Sequence, residues 1–498
     1  MEAALLAFRE LIGKIKSYEE AVSVLYWDMR TGAPRKGIPA RSAVVGMLSE
    51  EMFKLFVSDE MGKYLDELGA PGTLENLDQV NRRLVEETRK EYERNKKIPP
   101  EMHREYVVLT SQAEAVWEDA KRKADFPSFQ PYLEKIVDFN RRFAELWGYE
   151  GHPYNALLEP YEPGMTVDKL DAVFGELRKA TVPLVHEIGR EGADGDDAFL
   201  KRHYDPAQQR EFCLYILGEM GYDFEAGRLD ESEHPFATGL NPGDVRITTR
   251  YKPDDVAFAL FGTIHECGHA LYEQNISSEL EGTTLCTGVS MGIHESQSRF
   301  WEIYVGSSLP FWRRYYGKLQ EHFPEQLADV SVERFVRAIN RAKPSLIRIE
   351  ADELTYNLHI MVRYELEKGL IGGEIRAADL PALWNEKYRE YLGVVPAHDG
   401  EGVLQDVHWS GGSFGYFPSY TLGNMYAAQL MNALRRHMPD LDAKLERGEL
   451  LPIKAWLTEN VHRFGKLLSP AELMRRATGE ELNPEHLVRH LQEKYGKR

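Results

Sequence analysis

The sequence predicts a mainly α-helical protein, one large helical body with a small β-sheet beside its site. Three observations carry that expectation. Apolar residues recur at three- and four-residue spacing between charged ones along most of the chain, the breaks between such stretches are short, and a single segment alternates as a strand does.

The opening residues Leu5, Leu6, Phe8, Leu11, Ile12 and Ile15 follow the helical period and are interrupted by charges, as in an amphipathic helix rather than a signal peptide. Breaks are expected at the Gly/Pro/Arg stretch 31–41, at A-P-G near Pro71, at the run G-R-E-G-A-D-G-D-D from Gly189, and through the Gly-rich segment 400–415. None resembles an inter-domain linker, and there is no internal repeat or low-complexity tract, so residues 1–498 read as a single domain. The segment D-V-R-I-T-T-R-Y from Asp244 alternates β-branched with polar residues after the turn signal N-P-G and reads as a short strand. A helix follows, beginning near Asp254 or Asp255.

Composition narrows the function. Hydrophobic residues make up 43% and charged residues 28%, the mixture of a globular protein with ample core material. With 61 basic against 80 acidic side chains the net charge is −19, which opposes binding to nucleic-acid phosphates or anionic membranes. No window approaches the roughly 18 to 20 apolar residues of a membrane span. The cysteines, Cys213, Cys267 and Cys286, are too few and scattered for a disulfide framework, so a reducing, cytoplasmic location is expected.

The chemistry lies in F-G-T-I-H-E-C-G-H-A-L-Y, where His265 and His269 stand four residues apart in a helical pattern. That spacing puts both imidazoles on one face, where they can grip one metal ion, while Glu266, about 100° round the helix, reaches a water beside it. A catalytic zinc usually takes a third protein ligand. The segment M-G-I-H-E-S-Q-S-R-F-W-E, about 25 residues downstream, supplies His294 and Glu295, enough chain for a loop and a returning helix. Glu295 is the expected ligand; the bland alternative is an exposed carboxylate paired with Arg299 at i,i+4.

With these residues in place the chain resembles the carboxypeptidase Taq family of metallocarboxypeptidases over nearly its whole length. The family's segments appear in order: H-P-F at 234–236, D-V-R-I-T at 244–248, H-E-C-G-H at 265–269, H-E-S-Q at 294–297, I-R-I-E-A-D at 347–352 and G-V-L-Q-D-V-H-W at 402–409. An early W-D-M-R-T-G-A-P at 27–34 is also similar. The resemblance implies an enzyme that removes single C-terminal amino acids from peptides with a free C-terminus, with broad specificity and poorly when proline is terminal. It also implies Zn2+ or Co2+, one per subunit, a homodimer, and a helical body with a deep groove closed at one end.

Roles follow by residue. Glu266 is the expected general base. Arg348, in the I-R-I-E-A-D segment, is the candidate for the terminal carboxylate, which an exopeptidase must recognise; pairing with Glu350 or Asp352 is the alternative. The segment G-S-F-G-Y-F-P-S-Y-T-L-G offers Tyr420 as an oxyanion donor and Tyr416 as a substrate contact, and His408 as a contact to the reacting carbonyl or a core histidine. The strand at 244–248 is a candidate to pair with extended substrate, with Arg246 as a substrate contact or a structural residue. His234 is assigned no chemistry, and Cys267 is expected to be a small core residue. An oligoendopeptidase or dipeptidyl carboxypeptidase would use the same metal site, and a catalytically silent metal-bound scaffold would lack the base.

Overall fold

The computed structural model describes residues 2–191 and 197–496. Helix dominates. The first helix, Glu2–Thr31, buries Phe8, Leu11, Ile12 and Ile15 on one side, the face its period marks. The break expected at 31–41 is shorter than the sequence suggests. A 3-10 turn at Arg35–Gly37 leads directly into the helix Ile38–Phe56, whose first turn accepts Pro39 because the missing N–H there has no helical partner to lose. The proline at A-P-G likewise opens a one-turn helix, Pro71–Leu74, instead of interrupting one. The run from Gly189 begins inside the helix Val167–Glu191; residues 192–196 lie outside the described residues. The Gly-rich segment 400–415 is irregular, as expected.

The small sheet has three strands, β1 (Leu229–Glu231), β2 (Ala237–Asn241) and β3 (Asp244–Thr249), in the order β1-β3-β2. Ile247 of β3 lies opposite Leu229 of parallel β1 and Ala237 of antiparallel β2. Val245 and Ile247 point into the core at the period of a strand, and the sheet backs onto the helix Val256–Gln274. Because β3 is paired along both edges, it has no free side for an extended substrate, and the expectation of strand addition to it is corrected. Among the described residues, the outer edges of β1 and β2 are the unpaired ones of the sheet.

One hydrophobic cluster extends from Phe8 to Leu491. At its centre the helix Val256–Gln274 packs on Met291–Arg299, which packs in turn on Pro418–His437. Farther out, the helix Glu485–Tyr495 brings three side chains to the buried carboxylate of Glu353, the first residue of the helix Glu353–Gly372. His490 Nε2 lies 2.5 Å away, the Tyr495 hydroxyl donates at 3.1 Å, and Lys494 pairs with the same group. No helix among the described residues is long and apolar enough to cross a membrane.

Candidate active site

The helix Val256–Gln274 starts where the sequence places it, with the Asp255 carboxylate accepting the backbone N–H of Phe258 at 3.3 Å. It carries His265 and His269 one turn apart. Between them Gly268 marks a helix crossing, since a Cβ there would lie 2.4 Å from Ser298 Cα and 2.5 Å from the Gln297 carbonyl oxygen. On the far side of Met291–Arg299, a Cβ at Gly423 would lie 2.5 Å from Glu295 Cγ. The segment bearing Glu295 is thus seated between two glycine surfaces, and only these let the backbones come so close.

That seating brings Glu295 Oε2 to 3.7 Å from His265 Nε2 and 3.6 Å from His269 Nε2. The three ligand atoms all lie within 4.8 Å of one another. Tetrahedral coordination with bonds of about 2.0–2.1 Å puts ligand atoms about 3.3–3.4 Å apart, so a slight inward movement suits a zinc-sized ion.

Outer partners fix the tautomers. Glu302 Oε2 lies 2.7 Å from His265 Nδ1, which must donate to the carboxylate, so Nε2 is the nitrogen left to face a metal. His269 Nδ1 lies 2.6 Å from His294 Nδ1, and His294 Nε2 lies 2.9 Å from Glu273 Oε1. If His294 donates from Nε2 to Glu273, its Nδ1 accepts from His269, and His269 Nε2 is likewise left to face a metal. Arg299 ties the arrangement together, donating to Glu295 Oε1 at 2.9 Å and to Glu302 Oε2 at 3.2 Å. Its pairing with Glu295, the bland alternative in the sequence, coexists with the ligand geometry because the carboxylate has two oxygens.

Burial, and then the electrostatic influence of the neighbouring His294 and His265 imidazoles, hold His269 well below the usual histidine range, in the neutral form a ligand needs. Burial also opposes a proton on His265, but Glu295 and Glu302 outweigh it and raise its pKa to about 9; a cation would compete with that proton for the same negative field. Glu266 is 8% exposed, and among the described residues its carboxylate makes no hydrogen bond or ion pair with protein. Burial lifts it to about 7, opposed by His265. It stands next to the ligand set without belonging to it.

A second constellation gathers the I-R-I-E-A-D and G-V-L-Q-D-V-H-W segments. Arg348 is anchored by neither Glu350 nor Asp352. Its Nε and Nη2 donate to Asp406 Oδ1 at 2.9 and 2.8 Å, Nη1 donates to the Tyr356 hydroxyl at 3.0 Å, and its backbone N–H reaches Gln405 Oε1. Asp352 instead caps its own helix through Leu354 and Thr355. Of the five guanidinium N–H groups, three are engaged and two remain. Arg363 holds the other oxygen of Asp406 at 2.6 Å. Tyr356 lies under Arg299 at 4.6 Å, which joins this constellation to the His265, His269 and Glu295 cluster.

His408 Nε2 lies 3.1 Å from the Tyr420 hydroxyl, and its Nδ1 is buried without a partner. Burial, with Arg348 and Arg363 adding to it against Asp406, lowers His408 to about 4, so it is neutral near pH 7. Tyr416 and Tyr420 are in ring contact at 5.3 Å, and the charge of Glu295 adds to the burial that raises both hydroxyl pKa values. A cavity of about 410 Å³, bounded by Arg94, Trp147, Tyr161 and Ser290, opens beside His294.

One candidate substrate contact falls elsewhere, and His234 and Cys267, to which the sequence assigns no chemistry, stand outside the ligand set. Arg246 forks onto Asp244 at 2.8 and 2.6 Å and lies over the Trp27 ring, so its charge is spent within the sheet face. His234 is exposed, and its carbonyl accepts from Ser232. Cys267 is fully buried in the core. The sequence missed Glu302, Glu273, Tyr356 and Asp406. Glu302 had the clearest signal, seven residues and two turns after Glu295, but it comes from a π-helical turn, Phe300–Val305, whose wider pitch no periodicity shows.

Comparison with known proteins agrees with this geometry. The family described as "Carboxypeptidase Taq (M32) metallopeptidase" matches residues 7–495. Carboxypeptidase 1 of Bacillus subtilis is 53% identical over 488 residues, covering 98% of this chain and 97% of that protein. Thermostable carboxypeptidase 1 of Thermus thermophilus is 43% identical, covering 94% of each. The crystal structure of an M32 carboxypeptidase from Deinococcus radiodurans superposes with a TM-score of 0.96 at 38% identity, covering 99% of each chain.

Proposed function

We propose the following roles for a chain that belongs to the carboxypeptidase Taq (M32) family of metallopeptidases and is a metal-dependent carboxypeptidase acting on peptides. His265, His269 and Glu295 hold the ion, zinc or cobalt, one per subunit. The donor set supports either, since two imidazoles and a carboxylate suit both when geometry permits. When bound, such an ion lowers the pKa of a water and polarises the scissile carbonyl.

The remaining work falls to the chain. Glu266, with no protein partner on its carboxylate, takes the proton of the attacking water and passes it to the leaving amine nitrogen. Arg348 receives the terminal carboxylate on its two uncommitted N–H groups, while Asp406 and Tyr356 hold the guanidinium plane still. A buried N–H without a partner costs more than a buried lone pair, so His408 carries its proton on Nε2 and donates to the Tyr420 oxygen. That leaves the Tyr420 proton, which the Tyr416 hydroxyl accepts at rest, to turn to the developing oxyanion, with Tyr416 beside it as a substrate contact. Broad side-chain specificity, with poor removal of terminal proline, completes the reading.

The single observation that carries it is the convergence of His265 Nε2, His269 Nε2 and Glu295 Oε2 beside an unpartnered Glu266. Three wider proposals go with it. The one continuous core supports a single domain, the free state of all three cysteines supports a cytoplasmic setting, and the family resemblance supports a homodimer.

The test is mass spectrometry of an unblocked peptide and its C-terminally amidated twin, with metal-loaded, chelated and zinc- or cobalt-restored protein. Stepwise loss of single residues from the free peptide alone, abolished by chelation and restored by metal, is expected. Internal cleavage of both peptides would refute the role given to Arg348.

A further inference from the structure

The helix that presents Glu295 begins at a carboxylate the reaction does not use. Glu162 is 1% exposed. Its Oε1 accepts from Ser290 Oγ at 3.0 Å and from the Tyr426 hydroxyl at 2.9 Å, and its Oε2 accepts from the backbone N–H of Gly292 at 2.9 Å. Ser290 is the N-cap of Met291–Arg299, accepting the Ile293 N–H at 3.0 Å, so the proton it gives Glu162 fixes the cap itself. The adjacent carbonyl of Tyr161 accepts from the Met291 N–H at 2.9 Å. A Cβ at Gly292 would lie 2.6 Å from Glu162 Oε2, so the carboxylate occupies the space a side chain would fill.

Tyr426 lies three residues beyond Gly423, on the helix that also bears Tyr420. Glu162 therefore binds the start of the ligand helix to the helix of the tyrosines, while Tyr161 rests edge-on against Tyr416 at 5.2 Å. Burial raises the Glu162 carboxyl to about 7 despite its three donors, so the group sits there at a cost in stability. An apolar side chain in that space would avoid the cost but would not hold the cap.

We propose that Glu162 is a positioning residue, which sets the register of Met291–Arg299 and thereby the metal affinity of the His265, His269 and Glu295 set, without touching metal or substrate. The inference rests on the ligand assignment made above. Glu295 lies five residues past the cap, little more than one turn from the clamp, so a small rotation there carries directly to the ligand oxygen.

The test titrates the chelator-stripped full-length protein with zinc against a competing chelator, with apo-protein melting in parallel. Glu162→Gln keeps the size and removes the charge; Glu162→Ala removes all three contacts. Zinc affinity is expected to fall several-fold in the first and further in the second, up to the loss of about 10- to 100-fold that follows removal of a direct partner of a metal ligand. KM for an unblocked peptide at saturating zinc stays at the parental value. Parental zinc affinity in the folded variants overturns the inference, whatever the melting temperature does, and Glu162→Gln decides if the alanine variant does not fold. A parent that binds zinc no better than His269→Ala removes the ligand assignment, and this inference with it.

Discussion

Replacing Gly423 by alanine tests whether the close helix crossing is what aims the third ligand. The new methyl carbon lands 2.5 Å from Glu295 Cγ, 2.7 Å from its Cβ and 3.3 Å from its carbonyl carbon. Carbon atoms in contact sit about 3.5–4.0 Å apart, so about 1 Å of overlap must be relieved. Moving the Pro418–His437 helix would disturb Leu422 and Met425, both fully buried, so the ligand carboxylate is the part that yields. A shift of that size is large against the 3.6 and 3.7 Å that separate Glu295 Oε2 from the two imidazole nitrogens. Overpacking costs about 1–3 kcal/mol, partly offset by the about 1 kcal/mol that alanine gains over glycine within a helix. The apo protein should therefore lose little stability. Zinc affinity should fall about 10- to 100-fold and kcat about 100-fold, the effect of misplacing a reacting group by about 1 Å. Chelator competition, steady-state kinetics on an unblocked peptide and apo melting give the three readings. Parental zinc affinity and kcat in Gly423→Ala would refute the reasoning.

Other expectations follow from the same geometry. Glu266→Gln should hold zinc at parental affinity while kcat drops by about 100- to 10,000-fold, measured on metal-replete protein; an active variant would remove Glu266 as the base. Arg348→Lys keeps a charge beside Asp406 but loses the fork, and should raise KM about 10- to 100-fold for peptides with a free terminus and far less for amidated ones. Equal losses on both would count against carboxylate recognition. Glu367 is fully buried among the Tyr154 hydroxyl, the Trp409 Nε1–H and the Gly415 N–H, and burial raises it to about 7. The folded state therefore holds a proton that the unfolded chain releases near pH 4.5, so stability is highest below that pH and declines as pH rises to about 7, by about 3 kcal/mol at most. Urea denaturation at pH 5 and 7.5 should show that decline, and Glu367→Gln should reduce it without removing it, because burial holds Glu162 and Glu266 at about 7 as well.

The sequence carried the part of the site written in local spacing. Two histidines one turn apart need only a helix, and Asp255 marked its start. Glu295 followed from the need for a third ligand. What stayed hidden depends on which elements cross. Asp406 lies 58 residues from Arg348 and pairs with it only because an irregular loop returns to that spot, whereas Asp352, nearer in sequence, is taken up in capping its helix. Gly268 and Gly423 look like ordinary helix glycines until their neighbours are known. The strand β3 was legible from its alternation, but β1 and β2, of three and five residues, are too short to show a period, so the pairing of both edges of β3 was not.

The grip of the Glu485–Tyr495 helix on Glu353 bears on how far from the site its integrity is decided. Burial disfavours charge on Glu353, and Lys494 and His490 reverse that, holding its pKa far below the carboxylate range. Without those residues, the helix that supplies Tyr356 and Arg363 would begin with a carboxylate that has no cation to enter the interior with. The surroundings proposed for the substrate's terminal carboxylate are thus locked from a helix 137 residues farther along the chain, so damage to that remote surface should reach the site without touching any residue that lines it.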